Sequence, residues 1–537
     1  MGLRRFPLRA AGALAAVLSL ALVASCGAIG KGPGNDAAPL AAINPFGSDH
    51  AAEGTPKSGG TLLLGMDREI VSFDPTVQNS NMAALAVYDS LMKLTPNGSA
   101  EPYLAQSMDS PDGGSTWRLV LRPGVKFSDG TDLDADAVMV NVQRHIDKVS
   151  SPAHAYAAQI ASMRAVGPTT VEFALKSPSG AFPMVFAQPI TYGSLGMIVS
   201  PAALQKYGKD IGSNPVGAGP FKFVSWVRDS KLVLARNPGY WQAGKPYLDG
   251  LEFRPLPDTE SRYASIQNGD VDVIFGGYND ELVRGIQDPK LKVYYGPGNA
   301  GEYLYFNFNR APFNDRRMRE AIIRALDLNA LGASQYNGRL VHADSLFDAD
   351  SPYHTQAASD AWPKFDPERA RQLIQEYQAS GGNPNFTFKT TTARRPFAEY
   401  IQAQLAAVGL NVKVEFYDLA QFSSSVVQSN DFELTTWVGA FDSPYPGAMR
   451  LLRTGANTNY GKYSNPQVDA LLDQAASTTD ESVRKQAYQQ VELIAGADLA
   501  VAFFSRSYLS TITKADVKGI DRYGSRDMFY ATTWLDR

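Results

Sequence analysis

Residue types that do covalent or metal chemistry are few in this chain of 537 residues. It has one cysteine, Cys26, and five histidines, His50, His145, His154, His342 and His354. The histidines are scattered, without an H-E-x-x-H pattern or a cysteine to share a metal, which argues against a zinc site. Tyr192-Gly193-Ser194-Leu195-Gly196 lacks the G-x-S-x-G spacing of a nucleophile elbow. Gly27-Ala28-Ile29-Gly30-Lys31-Gly32 lacks the phosphate-loop spacing, and neither a Ser nor a Thr follows the lysine. Carboxylates are everywhere, with no pattern that singles out a catalytic pair. The expectation is a protein that is not an enzyme and carries no cofactor or metal. The net charge of -4 becomes -7 without residues 1–25, which hold Arg4, Arg5 and Arg9 and no acid. A mildly acidic body without a basic stripe has no electrostatic footprint for nucleic acid.

Cys26 ends an apolar run. Arg4, Arg5 and Arg9 precede the stretch Ala10 to Ala24, broken only by Gly12 and Ser19. That is the length of a signal-peptide core, whereas a spanning helix needs roughly 20 residues. Leu22-Val23-Ala24-Ser25-Cys26-Gly27 resembles the lipobox of bacterial lipoproteins. The resemblance implies cleavage after Ser25 and a diacylglycerol on the Cys26 thiol. The other reading is an ordinary secreted protein with an incidental cysteine. As the only cysteine, Cys26 has no intramolecular disulfide partner. Two or three acyl chains would anchor the body durably to the membrane lipid. Residues 26–57, rich in Gly, Pro, Ala, Asn and Ser, read as a flexible tether.

The positioning elements lie further on. Thr61-Leu62-Leu63-Leu64-Gly65 reads as a buried strand. Trp117 to Leu121 alternates and stops at Arg122-Pro123-Gly124. Phe397, Ile401 and Leu405 share a helix face after Pro396, and Gly409 ends that helix. Leu410, Val412, Val414 and Phe416 then alternate as a half-buried strand. Helix and strand units recur, so the fold class is α/β. At this length more than one domain is expected, by a prior of roughly 150 residues each.

Several stretches together resemble the family 5 extracellular solute-binding proteins, which include oligopeptide-, dipeptide- and nickel-binding proteins. The most distinctive is Thr116-Trp117-Arg118-Leu119 with Leu121-Arg122-Pro123-Gly124-Val125-Lys126-Phe127-Ser128-Asp129-Gly130. In order follow Asp134 to Val138, Gly217-Ala218-Gly219-Pro220-Phe221, Asn237-Pro238-Gly239-Tyr240-Trp241 and Gly269-Asp270-Val271-Asp272. Phe306-Asn307-Phe308-Asn309 and Pro312 to Ala321 complete the set. Most of these pieces shape the fold: Asp129-Gly130 makes a turn, and Asn314 or Asp315 caps a helix with inner stripe Met318, Ile322 and Leu326.

The resemblance implies a two-lobed periplasmic-binding-protein-like α/β fold with an extra inserted domain, three domains in all, and a cleft between the lobes. Domain I comprises 58–90, 212–303 and 503–537; domain II, 91–211, is inserted; domain III is 304–502. It also implies hinge closure over a short peptide, partnership with the permease of an ABC importer, and an extracytoplasmic, lipid-anchored location. A monomer is expected. A haem or nickel-chelate binder, and a surface lipoprotein with no transport role, are the alternatives.

The same resemblance supplies candidate cleft residues. Trp437 and Gly439 open a segment similar to the peptide binders' cleft loop, where an aspartate three after the tryptophan pairs with the α-ammonium. Here that position is Ala440; Asp442 would reach the ammonium from a shifted loop or is a solvated turn residue. Arg394 and Arg395 fall where dipeptide binders place a carboxylate-binding arginine, and the spacing does not choose between them. Tyr303 and Tyr305, at the crossing between lobes, are expected cleft walls.

Overall fold

A computed structural model describes residues 47–537 apart from 78–80, 96–97, 277–278, 337, 339, 440–442 and 524–526. The expected signal segment, Cys26 and most of the tether therefore lie outside the described residues, as does Asp442.

Local sequence explains the elements that surround the site. The Asp315 side chain accepts a hydrogen bond from the Arg317 amide and caps helix Arg316–Ala325. Met318, Ile322 and the following Leu326 are buried, as their spacing predicts. Helix Arg395–Ala407 carries its proline in the first turn and buries Phe397, Ile401 and Leu405. Each such side chain contributes roughly 1.5–3 kcal/mol when taken from water. Strand Val412–Tyr417 follows and pairs in parallel with Phe386–Thr391.

These units join one large sheet. Its order is Val412–Tyr417, Phe386–Thr391, Leu434–Gly439, Leu291–Phe306, Ala502–Lys514, Val273–Gly276, Thr61–Met66, Gly250–Pro255, Lys231–Arg236 and Phe221–Val227, and Val341–His342 pairs with Ala502–Lys514 off this path. Leu291–Phe306 and Ala502–Lys514 are long antiparallel neighbours. They join the half of the sheet built on Thr61–Met66 to the half built on Leu434–Gly439.

A separate four-stranded antiparallel sheet, in the order Ala105–Asp109, Thr116–Leu121, Thr170–Leu175 and Ile160–Gly167, lies within residues 105–175. The distinctive Trp117 is core here: it is buried, and its Nε1 donates to the Ser179 carbonyl at 3.0 Å. Asp129 holds its turn by accepting from Ser200 Oγ at 2.6 Å and Thr131 Oγ1 at 2.6 Å.

Residues 47–57, placed by composition in the flexible tether, are fixed against the C-terminal segment. Ser48 N donates to Ile520 O at 2.7 Å, Glu53 pairs with Lys292 at 2.8 Å, and Lys57 pairs with Asp536 at 2.7 Å. Composition missed this because the partners are remote in sequence, in strand Leu291–Phe306 and at the C-terminal end. No helix among the described residues is long and apolar enough to cross a membrane.

Candidate functional site

Strand pairing brings the first site residues together. In the antiparallel pair of Leu291–Phe306 and Leu434–Gly439, Tyr303 stands opposite Trp437 and Gly301 opposite Gly439. Directly opposed residues share a sheet face, so both rings point the same way. A Cβ on Gly439 would lie 3.0 Å from the Tyr303 ring, so glycine lets the ring cover the strand end. Tyr303 packs on Phe503 at 4.9 Å and on Tyr305 at 5.2 Å between centroids, and Trp437 meets Tyr460 edge-on at 6.3 Å.

This aromatic floor underlies a cavity of about 280 Å3. Tyr303, Trp437, Val438, Gly439 and Phe503 line it from the large sheet. Ser443, Pro446, Gly447, Arg450 and Leu451 line it from helix Pro444–Leu452 and its start, and Thr458 and Tyr460 from the loop beyond. Gln188 and Tyr192 close it from the segment that carries the four-stranded sheet. Gln188 is buried and its Nε2 donates to the Met184 carbonyl at 3.1 Å, which leaves the amide oxygen as an acceptor for a guest. Burial pushes the Tyr303 hydroxyl well above its ordinary pKa, so it stays a neutral group. The lining is thus mostly aromatic and small, with a few polar groups that can orient a guest.

Hydrogen bonds clamp the two sides of this cavity together. Ser443 Oγ donates to the Gly98 carbonyl at 3.2 Å, and Gln159 Nε2 to Tyr445 Oη at 3.2 Å. Further out, Gly180 N donates to Ser477 O at 2.9 Å and Ala181 N to Ala476 O at 3.0 Å. Arg484 Nη2 reaches both the Gly180 and Thr478 carbonyls, at 3.3 and 2.8 Å.

The cavity is walled by two separately built parts of one chain, and comparison with known proteins shows the family that shares this architecture. Residues 99–460 match the family described as bacterial extracellular solute-binding proteins, family 5 Middle. The chain belongs to this family. It is 30% identical over 458 residues to the glutathione-binding protein GsiB of Escherichia coli strain K12, covering 80% of this chain and 86% of that one. Its fold is similar to the ABC transporter-associated periplasmic binding protein DppA from Helicobacter pylori in complex with the peptide STSA, with a TM-score of 0.74 and 22% identity over 90% of this chain and 99% of that one. It is also similar to a dipeptide-binding protein from Pseudoalteromonas sp. SM9913 in complex with Met-Leu, with a TM-score of 0.73 and 22% identity over 89% and 100% of the two chains.

In this family 5 chain the expected site residues divide into groups. Tyr303, Trp437 and Gly439 meet at the cavity, and Tyr305 lies buried behind Tyr303, its hydroxyl donating to Thr458 O at 3.3 Å. Asp442 falls in the loop outside the described residues, directly before Ser443. The two arginines stand elsewhere. Arg394 forms two hydrogen bonds to Glu302, at 3.1 and 2.5 Å, and Tyr336 Oη donates to the same carboxylate at 2.6 Å. Glu302 precedes Tyr303 on the strand, so its side chain leaves the opposite face. Arg395 lies over the Phe416 ring at 3.9 Å and 3.7 Å from Glu399.

Arg450, Tyr460, Phe503 and Gln188 line the cavity without having been singled out in the sequence. Nothing local marks them: Phe503 is the second residue of a strand that is buried almost throughout, and Arg450 reads as one more solvated helix charge. Among the described residues, no group of His, Cys, Asp and Glu is arranged to hold a metal ion.

Proposed function

We propose that this chain is the extracytoplasmic solute-binding component of an ABC importer, capturing short peptides and delivering them to the membrane permease. The observation that carries this reading is the cavity itself, with an aromatic floor on one part of the chain and a lid from another. The connection between the halves through Leu291–Phe306 and Ala502–Lys514 makes a paired hinge, in which a few residues absorb the rotation of rigid lobes. A guest that touches both walls binds the closed form better and so shifts the population toward it.

The cavity's size favours a small guest. About 280 Å3 is just under the roughly 300–1,000 Å3 of small-molecule sites, which suits peptides of a few residues better than long ones. The kinship with GsiB makes glutathione, itself a tripeptide, the first ligand to try. Rings of Trp437 and Tyr460 offer flat faces to side chains or peptide planes, and Asp442 is the proposed partner of the peptide ammonium. Cys26, acylated after removal of residues 1–25, would hold this monomeric receptor at the membrane surface.

Native mass spectrometry of the protein extracted from membranes tests both parts. The expected result is a chain beginning at an acylated Cys26 with intact peptides of a few residues bound. Recovery of only a metal chelate or a porphyrin would overturn the peptide assignment.

A further inference from the structure

The described lining of the cavity contains a single formal charge, the guanidinium of Arg450. Its neighbours on the lining are neutral: hydroxyls of Tyr, Ser and Thr, one amide, and apolar groups. One helical turn on, Arg453 is paired with Asp473 through contacts of 3.1 and 2.8 Å. Arg394 and Arg395 likewise face Glu302 and Glu399. Arg450 is different: among the described residues no carboxylate lies within ion-pair distance of it.

The buried Tyr156 hydroxyl, from the segment that carries the four-stranded sheet, feels the Arg450 guanidinium electrostatically. Burial pushes that hydroxyl up to about 12, against the opposing pull of the guanidinium. Tyr156 therefore stays neutral and gives Arg450 no counter-charge. A guanidinium has five N–H donors in a planar fork that matches a carboxylate bidentately. Arg450 is exposed where it lines the cavity, so that fork is accessible to a guest.

We propose that Arg450 is the carboxylate anchor of the site, and that the cavity selects short peptides presenting a free carboxylate to it. This deepens the peptide-receptor reading and rests on it. The anchor sits at the end of helix Pro444–Leu452, on the sheet face of Trp437, and not at the Arg394–Arg395 position.

Titration calorimetry with glutathione, its carboxyl-amidated form and a neutral free-carboxylate tripeptide tests the proposal on the wild type, R450Q, R450K and the control R453Q. Wild type is expected to prefer the free carboxylates over the amide by roughly 10- to 100-fold, the size of one charge-assisted contact. R450Q should erase that preference, R450K should keep part of it, and R453Q should keep all of it. Equal binding of free and amidated peptides by the wild type would overturn the anchor and leave the peptide reading standing. Failure of every peptide to bind would overturn the peptide reading itself. Because the amidation series needs no variant, misfolding of R450Q cannot obscure the outcome.

Discussion

Asp89 shows how far a single buried side chain can govern this protein. It lies completely inside the body, where Tyr240 Oη and Trp241 Nε1 both donate to its Oδ2, at 2.7 and 2.6 Å. Burial outweighs those two donors and raises its pKa from 3.8 to about 7. The folded chain thus binds this proton more tightly than the unfolded chain does. The resulting stabilisation is complete below about pH 3.8, declines as the pH climbs, and is gone above about 7, a swing on the order of 4 kcal/mol. His145 acts in the opposite sense: burial lowers it from 6.5 to about 4, so its contribution holds above pH 6.5 and is lost as pH falls toward 4. In urea unfolding followed across this range, Asp89→Asn should flatten the decline toward neutral pH relative to wild type. Parallel profiles for the two proteins would refute the assignment. The sequence marks Tyr240-Trp241 as a family signature and says nothing of Asp89, because the three meet only through tertiary packing. Arg450 escaped for a related reason. Tyr445, Ala448 and Leu452 of its helix are buried, and an arginine off that stripe looks like any exposed charge in the sequence.

At the scale of elements, the contact between Gly180 and the end of helix Pro466–Ser477 is the most restrictive join between the cavity's two sides. A Cβ at Gly180 would stand 1.9 Å from the Thr478 carbonyl oxygen, an overlap with backbone that no rotamer relieves. Gly180→Val should therefore hold the two sides apart, at the cost of two backbone hydrogen bonds worth about 1 kcal/mol each. Titration of the variant should show peptide affinity reduced by at least about tenfold, with each side still folded by circular dichroism. Unchanged affinity would mean that this join plays no part in capture. Local elements were mostly legible beforehand: Pro396, the Phe397–Ile401–Leu405 stripe, Gly409 and the alternation after it specify a helix and a strand without outside help. The long strands were not. In Ala502–Lys514 nearly every residue is buried on both faces, so the period-2 signal disappears. The same loss of local signal hid which arginine faces the cavity. Only the register of Leu291–Phe306 shows that Glu302 and Tyr303 leave opposite faces, committing Arg394 to the far side.

For the whole molecule, the account reduces to relative motion. One large sheet is continuous through two antiparallel strands, and beside them lies a small cavity bordered by Gln188 and Tyr192 from the segment that carries the separate four-stranded sheet. In the proposed reading, rotation about these two strands moves the packed bodies relative to one another. On that proposal a ligand spanning both walls supplies the differential affinity the motion requires, and the permease distinguishes the closed shape from the empty receptor. Small-angle X-ray scattering of the ligand-free protein, titrated with glutathione or another short peptide that calorimetry shows to bind, measures this directly. The radius of gyration should fall on saturation, and the bound profile should match that calculated from the structure described above. Identical profiles with and without a bound peptide would contradict the account.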